Sequence, residues 1–280
     1  MKTYVKKYFF PSLAFALLML CGALWDLQIN TFLYNPKSVL GLFMESFGFL
    51  PLYLPIVFFA ASLAFDKRRK TALRIAGLLL YTAGFVLLIK VAFNHLVKRG
   101  ISEGYLLLPQ LAIDAVFIIA SILIFKGFNT TTHKKLQFLF GVGCVYTVLN
   151  NIVINALKLI WQRTRFDDML MLATGTMEGF TPWYLPFGNG GSSFPSGHTA
   201  AACAVFVLVS ACALFAKWQG KERLVYAFCW AYVGLMAIGR IIIGRHFLSD
   251  TVAAALIGVL IYVIMTKTKL YKKCLANAIE

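Results

Sequence analysis

The chain has 280 residues, of which 60% are hydrophobic and 14% are charged, and its mean hydropathy is +0.77. Soluble domains carry about 25% charged residues, so the composition excludes a soluble globular protein and indicates a polytopic membrane protein. The net charge of +16 does not indicate a nucleic-acid partner, because the cations stand in short clusters between apolar runs instead of along one face.

Eight apolar runs follow one another along the chain, and each approaches the roughly 20 helical residues that cross a hydrocarbon core. They cover residues 8–26, 48–65, 75–93, 106–125, 138–157, 196–216, 224–243 and 248–266. The sequence therefore predicts an all-α polytopic transmembrane helix bundle of about eight spans, with no separate soluble domain.

The distribution of lysine and arginine predicts the orientation of these spans. Most of the 27 cations stand in the N-terminal segment, in the second, fourth and sixth loops and in the C-terminal tail. Because short cytoplasmic loops hold the excess of cations, we expect both termini in the cytoplasm and the remaining loops outside it. The six cysteines show neither a CxxC pair nor the spacing of metal ligands, so they do not predict a zinc site.

The longest connection, residues 158–195, joins the fifth and sixth runs and is rich in aromatic and other large apolar residues. Such a loop suits the headgroup layer, where it would admit a lipid headgroup to a polar pocket. Alternatively, it only packs on the outer ends of the helices. Lys158 and Arg165 would share a face if the fifth helix continued past the membrane surface, although interfacial cations that reach for water give the same pattern.

The segment Ser193–Thr199 ends this loop and opens the sixth run. Ser196 can cap free amides at a helix start, and Gly197 leaves the backbone accessible to an anion. A helix N-terminus of this kind favours phosphate, and His198 follows at the position where a proton could be transferred. The alternative is an ordinary helix start with a surface histidine.

A third group of polar residues lies between the seventh and eighth runs. His246 and Asp250 are four residues apart, which would place them on one helical face with the carboxylate fixing the tautomer of the imidazole. The other ring nitrogen would then be free to act as a nucleophile. Arg240 adds a planar donor that stays charged. A structural His–Asp pair at a helix end is the alternative.

These three groups are far apart in the chain, yet the predicted topology puts all of them on the same outer surface. Lys158 and Arg165 leave the fifth span, His198 enters the sixth, and residues 240–250 connect the seventh to the eighth. The sequence therefore predicts a single site on the extracytoplasmic side.

The chain resembles the type 2 phosphatidic acid phosphatase superfamily, also called lipid phosphate phosphatases, and within it the bacterial membrane branch. The three superfamily motifs K-x6-R-P, P-S-G-H and S-R-x5-H-x3-D are matched within about residues 138–266. The matching residues are Lys158, Arg165, Pro195, Ser196, Gly197, His198, Arg240, His246 and Asp250. Two positions depart from the pattern, since Phe166 replaces the proline and Gly239 replaces the serine.

The resemblance implies a role for each matched residue. His246 would attack phosphorus to form a phosphohistidine, Asp250 would orient it, and His198 would protonate the leaving oxygen and later activate water. The nonbridging oxygens would be held by Lys158, Arg165, Ser196, Gly197 and Arg240. Arg163 and Arg245 are further candidates for headgroup contacts. No metal or other cofactor is implied, because the fixed cations supply the positive field.

The superfamily core has six spans, so the resemblance implies two additional spans in residues 1–74 and a phosphatase core in residues 75–280. The implied protein is a metal-independent, multi-pass phosphatase that hydrolyses a phosphomonoester or diphosphate of a lipid at the extracytoplasmic face of the cell membrane. Its substrate would be a polyprenyl diphosphate such as undecaprenyl diphosphate, phosphatidic acid or phosphatidylglycerophosphate. A lipid phosphotransferase that uses the same site and a catalytically inert lipid-binding protein are the alternatives.

Overall fold

The computed structural model describes residues 2–171, 179–188 and 190–280. In these ranges every element of regular secondary structure is helical. The α-helices are α1 (Lys2–Leu33), α2 (Val39–Phe47), α3 (Leu50–Phe65), α4 (Thr71–Val97), α5 (Glu103–Gly127), α6 (Thr130–Trp161), α7 (Phe166–Met171), α8 (Gly197–Ala202), α9 (Val209–Leu214), α10 (Glu222–Ile242), α11 (Leu248–Lys267) and α12 (Lys269–Ile279). Two short 3₁₀ helices cover Cys203–Leu208 and Ala216–Trp218.

Eight helical stretches in the described ranges are long and apolar enough to cross a membrane, which confirms the predicted all-α polytopic architecture. They cover Ser12–Leu33, Val39–Phe65, Thr71–Val97, Glu103–Gly127, Thr130–Leu170, Gly197–Leu214, Glu222–Ile242 and Leu248–Lys267. Three of them differ most from prediction: the first continues to Leu33, the second begins at Val39, and the fifth covers Thr130–Leu170 instead of 138–157. In the first two the cause is polarity, because Asp26 and Glu45 interrupt the apolar pattern at these edges.

The chain forms two compact units, and each combines three separate stretches of sequence. The first unit consists of Met1–Glu45, Asn150–Cys203 and Ala231–Leu260, and the second of Ser46–Leu149, Ala204–Trp230 and Ile261–Glu280. The first unit therefore contains all three predicted motifs together with the N-terminal helix. The division of the chain at residue 74 into an addition and a core stays a prediction.

In the second unit, α3 packs against α4 and α5, and α12 packs against α9. Phenylalanine rings fill the space beside the middle of α3, where Phe58 lies 6.1 Å from Phe125 and 5.5 Å from Phe140 between ring centroids. Hydroxyl groups add a polar link, since Ser210 Oγ lies 2.8 Å from the Tyr271 hydroxyl. Burial of apolar surface and these ring contacts hold the unit together.

In the first unit, two close helix approaches bring the N-terminal helices to the third motif. A Cβ atom at Gly22 of α1 would lie 2.7 Å from Ser249 Cβ, so only glycine permits this contact. A Cβ at Gly41 of α2 would similarly lie 2.2 Å from Ile243 Cγ2. Helices α1 and α2 therefore lie directly against the segment that carries His246.

Candidate active site

Lys158 and Arg165 meet through the loop and not along a continued helix. Helix α6 ends at Trp161, and the next residue, Gln162, has a φ of 47°, which reverses the helical path. The condition under which Lys158 and Arg165 would share one helical face is therefore not met. Lys158 Nζ nevertheless donates a hydrogen bond to the Ser192 carbonyl at 2.9 Å, and Arg165 Nη2 donates to Ser192 Oγ at 2.8 Å.

Backbone pairing fixes the two halves of this loop against each other. The amides of Gly191 and Ser193 donate to the carbonyls of Gln162 and Arg163, each at 2.8 Å. A Cβ at Gly191 would lie 2.3 Å from the Arg163 carbonyl oxygen, so a glycine is required at this close approach. Loop residues 172–178 and 189 lie outside the described ranges.

Ser196 begins helix α8 as its N-cap, as the sequence predicts. Its hydroxyl accepts hydrogen bonds from the Thr199 amide at 3.3 Å and from Thr199 Oγ1 at 3.0 Å. Gly197 lies beside the first motif, because a Cβ there would be 3.7 Å from Lys158 Nζ. His198 is partly exposed, and its Nε2 lies 3.1 Å from the backbone carbonyl oxygen of Glu45.

The second and third motifs are hydrogen-bonded to each other. His246 Nδ1 lies 2.7 Å from the Ser193 carbonyl oxygen, and the Ser196 amide donates to the Asp250 carbonyl at 3.0 Å. These contacts join residues more than 50 positions apart. The structure therefore places the residues before His198 next to the residues around His246. That they form one catalytic site stays a prediction.

Asp250 supports His246 through an intermediate residue. His246 precedes α11, so the two side chains do not have helical spacing, and Asp250 Oδ2 lies 3.7 Å from His246 Nδ1. That distance is too long for the direct hydrogen bond expected from the sequence. Asp250 Oδ2 instead accepts from Ser193 Oγ at 2.5 Å and from the Phe247 amide at 2.9 Å. The carboxylate thus holds the residue whose carbonyl contacts the imidazole.

The environment of His246 keeps its imidazole neutral. Only 2% of the residue is exposed, and burial is the largest cause that lowers its pKa, to about 3. The positive charges of Arg240 and Lys158 lower this pKa further, whereas Asp250 opposes the shift. With a proton on Nδ1 donated to the Ser193 carbonyl, Nε2 carries a free lone pair.

Behind Asp250 lies a group of buried charges that we call the buried clamp: Asp26, Arg163, Ser249 and Asp250. Arg163 is 0% exposed and forms ion pairs with Asp250 Oδ1 at 2.6 Å and with Asp26 Oδ2 at 2.9 Å. Its Nη1 also donates to Ser249 Oγ at 2.9 Å, and its Nε donates to the Thr181 carbonyl at 2.7 Å. Arg163 therefore has no exposed surface for the headgroup contact considered from the sequence, and it supports Asp250 instead.

Helix α1 supplies its part of the clamp from a single face. Gly22, Asp26 and Asn30 follow one another at intervals of four residues, which places them in one row along the helix. Asp26 Oδ1 accepts from the Ser249 amide at 3.0 Å, and Asn30 Nδ2 donates to the His246 carbonyl at 3.1 Å. Sequence reasoning missed both polar residues, although a carboxylate inside an apolar span is itself a signal of function.

Arg240 and Arg165 carry donors that are not used by the described residues. Arg240 is 3% exposed, and its Nη1 lies 3.0 Å from Glu45 Oε1. Its Nε is buried without a hydrogen-bond acceptor in the described part of the chain, and so is Nε of Arg165. Because unpaired buried donors are costly, an anion that accepted hydrogen bonds from them would be stabilised. We call Lys158, Arg165 and Arg240 the cationic pocket.

Arg245 is surrounded by carboxylates. Its Nη1 lies 3.1 Å from Asp167 Oδ2 and 3.5 Å from Asp168 Oδ1, and its Nε lies 3.5 Å from Glu45 Oε1. A quarter of its side chain is exposed, so a headgroup contact for Arg245 stays a prediction. Within the described ranges no group of three or more histidine, cysteine or acidic residues has the arrangement of a metal site. The expected independence from metals also stays a prediction.

Phe166, which replaces the proline of the superfamily motif, belongs to an apolar cluster that includes Phe247, the residue after His246. It is 1% exposed and packs with Met169 and Phe247. The ring of Tyr34 meets it edge-on at 5.3 Å between centroids. The phenylalanine therefore contributes to the core that fixes the segment following the nucleophile candidate.

The fold and the site together define a polytopic membrane protein with a neutral buried histidine next to a cationic pocket. Residues 140–274 match the family model of the PAP2 superfamily, and this region contains all three motifs. Residues 140–274 are therefore a PAP2 superfamily region, and the members of this superfamily are generally phosphatases. No curated protein and no solved structure shows significant similarity to the chain.

Proposed function

We propose that this protein is a lipid phosphatase that hydrolyses a phosphomonoester or diphosphate of a membrane lipid through a phosphohistidine. The carrying observation is a neutral, buried His246 whose Nδ1 is held by the Ser193 carbonyl, close enough to Arg240 and Lys158 for their charges to lower its pKa. A nucleophile with a free lone pair and an adjacent anion site are the two requirements for covalent phosphoryl transfer.

In the first step, Nε2 of His246 attacks phosphorus and the bond from phosphorus to the leaving oxygen breaks. His198 donates a proton to that oxygen, which leaves as the lipid alcohol or lipid monophosphate. In the second step, His198 removes a proton from water, the resulting hydroxide attacks phosphorus, and the P–N bond breaks. Inorganic phosphate is released, and both histidines return to their starting protonation states.

The cationic pocket would hold the nonbridging oxygens during both steps. The buried Nε groups of Arg165 and Arg240 supply unused donors. The ammonium group of Lys158 lies beside Gly197, where no side chain covers the backbone. Ser196 orients the start of α8 through its capping bonds. Hydrogen-bond donors that are already fixed where negative charge develops in the transition state are usually the largest single source of rate acceleration. Because three fixed cations supply this field, we expect activity without an added metal.

A lipid substrate is supported by the apolar side chains exposed on the loop beside the pocket. Tyr184, Leu185 and Phe187 each expose half or more of their side chains. Trp161 lies 4.8 Å from Phe194 between ring centroids, so aromatic residues also stand near Lys158. Large aromatic residues favour the headgroup layer, and the distribution of cations favours an extracytoplasmic site with both termini in the cytoplasm.

The test is phosphate release by the purified full-length protein in detergent micelles with a chelator present. A polyprenyl diphosphate, phosphatidic acid and phosphatidylglycerophosphate would be compared as substrates, each with and without an added lipid alcohol as acceptor. We expect His246→Ala to lower the rate by about 10⁴-fold or more, as removal of a nucleophile does. A phosphoenzyme that is stable in base and labile in acid should be trapped in the wild type only.

Two outcomes would contradict the proposal. Retained hydrolysis in His246→Ala would exclude this residue as the nucleophile, and a wild type inactive on every substrate would exclude the lipid phosphatase. Transfer of phosphate to the added alcohol in preference to water would instead identify a phosphotransferase.

A further inference from the structure

We propose that Glu45 is a specificity-determining residue whose carboxylate competes with the phosphoryl group for Arg240 and so keeps free phosphate from occupying the site. This inference rests on the proposed function. Glu45 lies outside the three sequence motifs, at the end of α2, in a part of the chain with no assigned role.

The side chain of Glu45 lies directly on the cations at the edge of the pocket. Its Oε1 is 3.0 Å from Arg240 Nη1 and 3.5 Å from Arg245 Nε. The residue is 5% exposed, so water screens these charges weakly. Its backbone carbonyl oxygen also lies 3.1 Å from His198 Nε2. One residue thus contacts an anion-binding arginine with its carboxylate and the proposed acid–base group with its backbone.

The position of Glu45 is built into the packing of α2 against α10. A Cβ at Gly41 would lie 3.1 Å from the Gly239 carbonyl oxygen, and a Cβ at Gly239 would lie 3.0 Å from Met44 Cβ. The amide of Asn35, just before α2, donates to the Ile242 carbonyl at 2.7 Å. This close approach explains why glycine stands at 239, where the superfamily motif has serine. It also holds the end of α2 over Arg240.

A carboxylate at this place opposes anion binding in two ways. It partly neutralises the positive charge of Arg240, and its own negative charge repels an arriving phosphate in surroundings where water screens charges weakly. Free phosphate depends on these ionic contacts alone. A lipid phosphate also gains free energy from burial of its apolar chains, so it still binds when the ionic contribution is reduced. Glu45 therefore favours release of the product phosphate while lipid-linked phosphate is retained.

The remaining charges near Glu45 do not replace it. Asp167 and Asp168 lie within 3.5 Å of Arg245, but Asp168 is 44% exposed and so is screened by solvent. The carboxylate that pairs with Arg240 is that of Glu45, at 3.0 Å. Its removal should therefore change the electrostatic field at Arg240 and, to a smaller extent, at Arg245, which lies 3.5 Å away.

The test is the affinity of inorganic phosphate for the full-length protein, measured as its inhibition constant in the hydrolysis assay and by titration of the His246→Ala protein. Glu45→Gln keeps the size of the side chain and removes its charge, so we expect the phosphate inhibition constant to fall at least tenfold. The KM for lipid should fall as well, and kcat should decrease as product release slows.

Glu222→Gln is the matched control, because it removes the same charge from an exposed position at the opposite end of α10. Its inhibition constant should stay within twofold of the wild type. Glu45→Asp keeps the charge but withdraws it by one methylene, so it should show a smaller fall and serves where Glu45→Gln does not fold. Thermal unfolding of each variant reports folding independently.

An unchanged or higher inhibition constant in folded Glu45→Gln and Glu45→Asp would overturn this inference while the wild-type hydrolysis and the inactive His246→Ala still supported the phosphatase. Hydrolysis retained in His246→Ala would instead contradict the proposed function. The phosphate titration would then still report whether Glu45 opposes anion binding.

Discussion

The two sides of His246 differ in how completely their buried polar groups are paired. In the buried clamp, Arg163 uses Nε, Nη1 and Nη2 as donors, and both oxygens of Asp26 and of Asp250 accept hydrogen bonds. In the cationic pocket, Nε of Arg165 and Nε of Arg240 have no acceptor among the described residues. A fully hydrogen-bonded network fixes the positions of its side chains, whereas unpaired buried donors remain available to bind a ligand.

This difference predicts opposite consequences for the two arginines that are most buried. Loss of Arg163 should damage the fold, because it leaves two buried carboxylates without their counter-ion. Loss of Arg240 should mainly damage function, because its buried Nε has no acceptor among the described residues and because Arg245 remains as a cation beside Glu45. Natural binding sites commonly sacrifice stability in this way.

The largest expected effect is on stability in the clamp. Arg163→Met should lower the free energy of unfolding by about 3–5 kcal/mol, because removal of one partner leaves a buried charge uncompensated. Thermal unfolding in detergent would measure the loss. The double variant Asp26→Asn/Arg163→Met should recover part of it. A single variant as stable as the wild type would show that the clamp does not support the fold.

In the pocket, Arg240→Met should lower kcat/KM by about 10²–10³-fold, the usual cost of one donor to a developing oxyanion. Its free energy of unfolding should fall by less than that of Arg163→Met, because Glu45 keeps Arg245 at 3.5 Å as a second cation and because the substitution also removes the unpaired Nε donor. Kinetics and unfolding would be measured on the same preparation. A large loss of stability with unchanged kinetics would reverse the distinction between the two sides.

Asp26→Asn sharpens the comparison, because it removes a charge from the clamp without changing its shape. We expect kcat to fall about tenfold with KM within twofold, since a shifted His246 attacks less well while the pocket still binds substrate. Asp114→Asn is the matched control, because Asp114 is also buried in a span but belongs to the second unit. Equal effects of the two substitutions would assign Asp26 to stability alone.

The pH dependence of stability tests the burial of His246. Its folded pKa of about 3 lies below the ordinary value of 6.5, so between these values the unfolded chain binds a proton that the folded protein does not. Stability is therefore lost as the pH falls below 6.5, by at most about 1.4 kcal/mol per pH unit from this group. His246→Gln should lose less stability on acidification, measured by unfolding at pH 7.5, 6.5 and 5.5. Parallel curves would mean that His246 is accessible to protons.

Gly239→Ser should have the smallest effect on the reaction. The new side chain would meet Met44 of α2 and not the pocket, because a Cβ there lies 3.0 Å from Met44 Cβ. We expect no gain in kcat/KM and a loss of stability of about 1 kcal/mol from the tighter packing. A severalfold gain in kcat/KM would show that the serine hydroxyl contacts the phosphate and that the end of α2 moves away to make room for it.

The sequence by itself determined that the protein lies in a lipid bilayer, how many spans it has and which residues are chemically able to take part in catalysis. Apolar runs of membrane length can form only helices that satisfy their own backbone, so eight such runs predict the architecture without any tertiary contact. The short spacings around His198 and His246 are local as well, and local spacing is what sequence comparison detects.

Only the tertiary structure decided how these residues are supported. The expectation of a direct contact between His246 and Asp250 assumed a helix that in fact begins after His246, and Ser193 occupies the intervening place. Asp26 and Glu45 come from the N-terminal helices, separated from their partners by well over a hundred residues. The periodicity of the sequence does not encode such contacts, because they depend on which faces of distant helices pack together. Here glycines at the contacts, which have no side chain, allow the helices to approach closely.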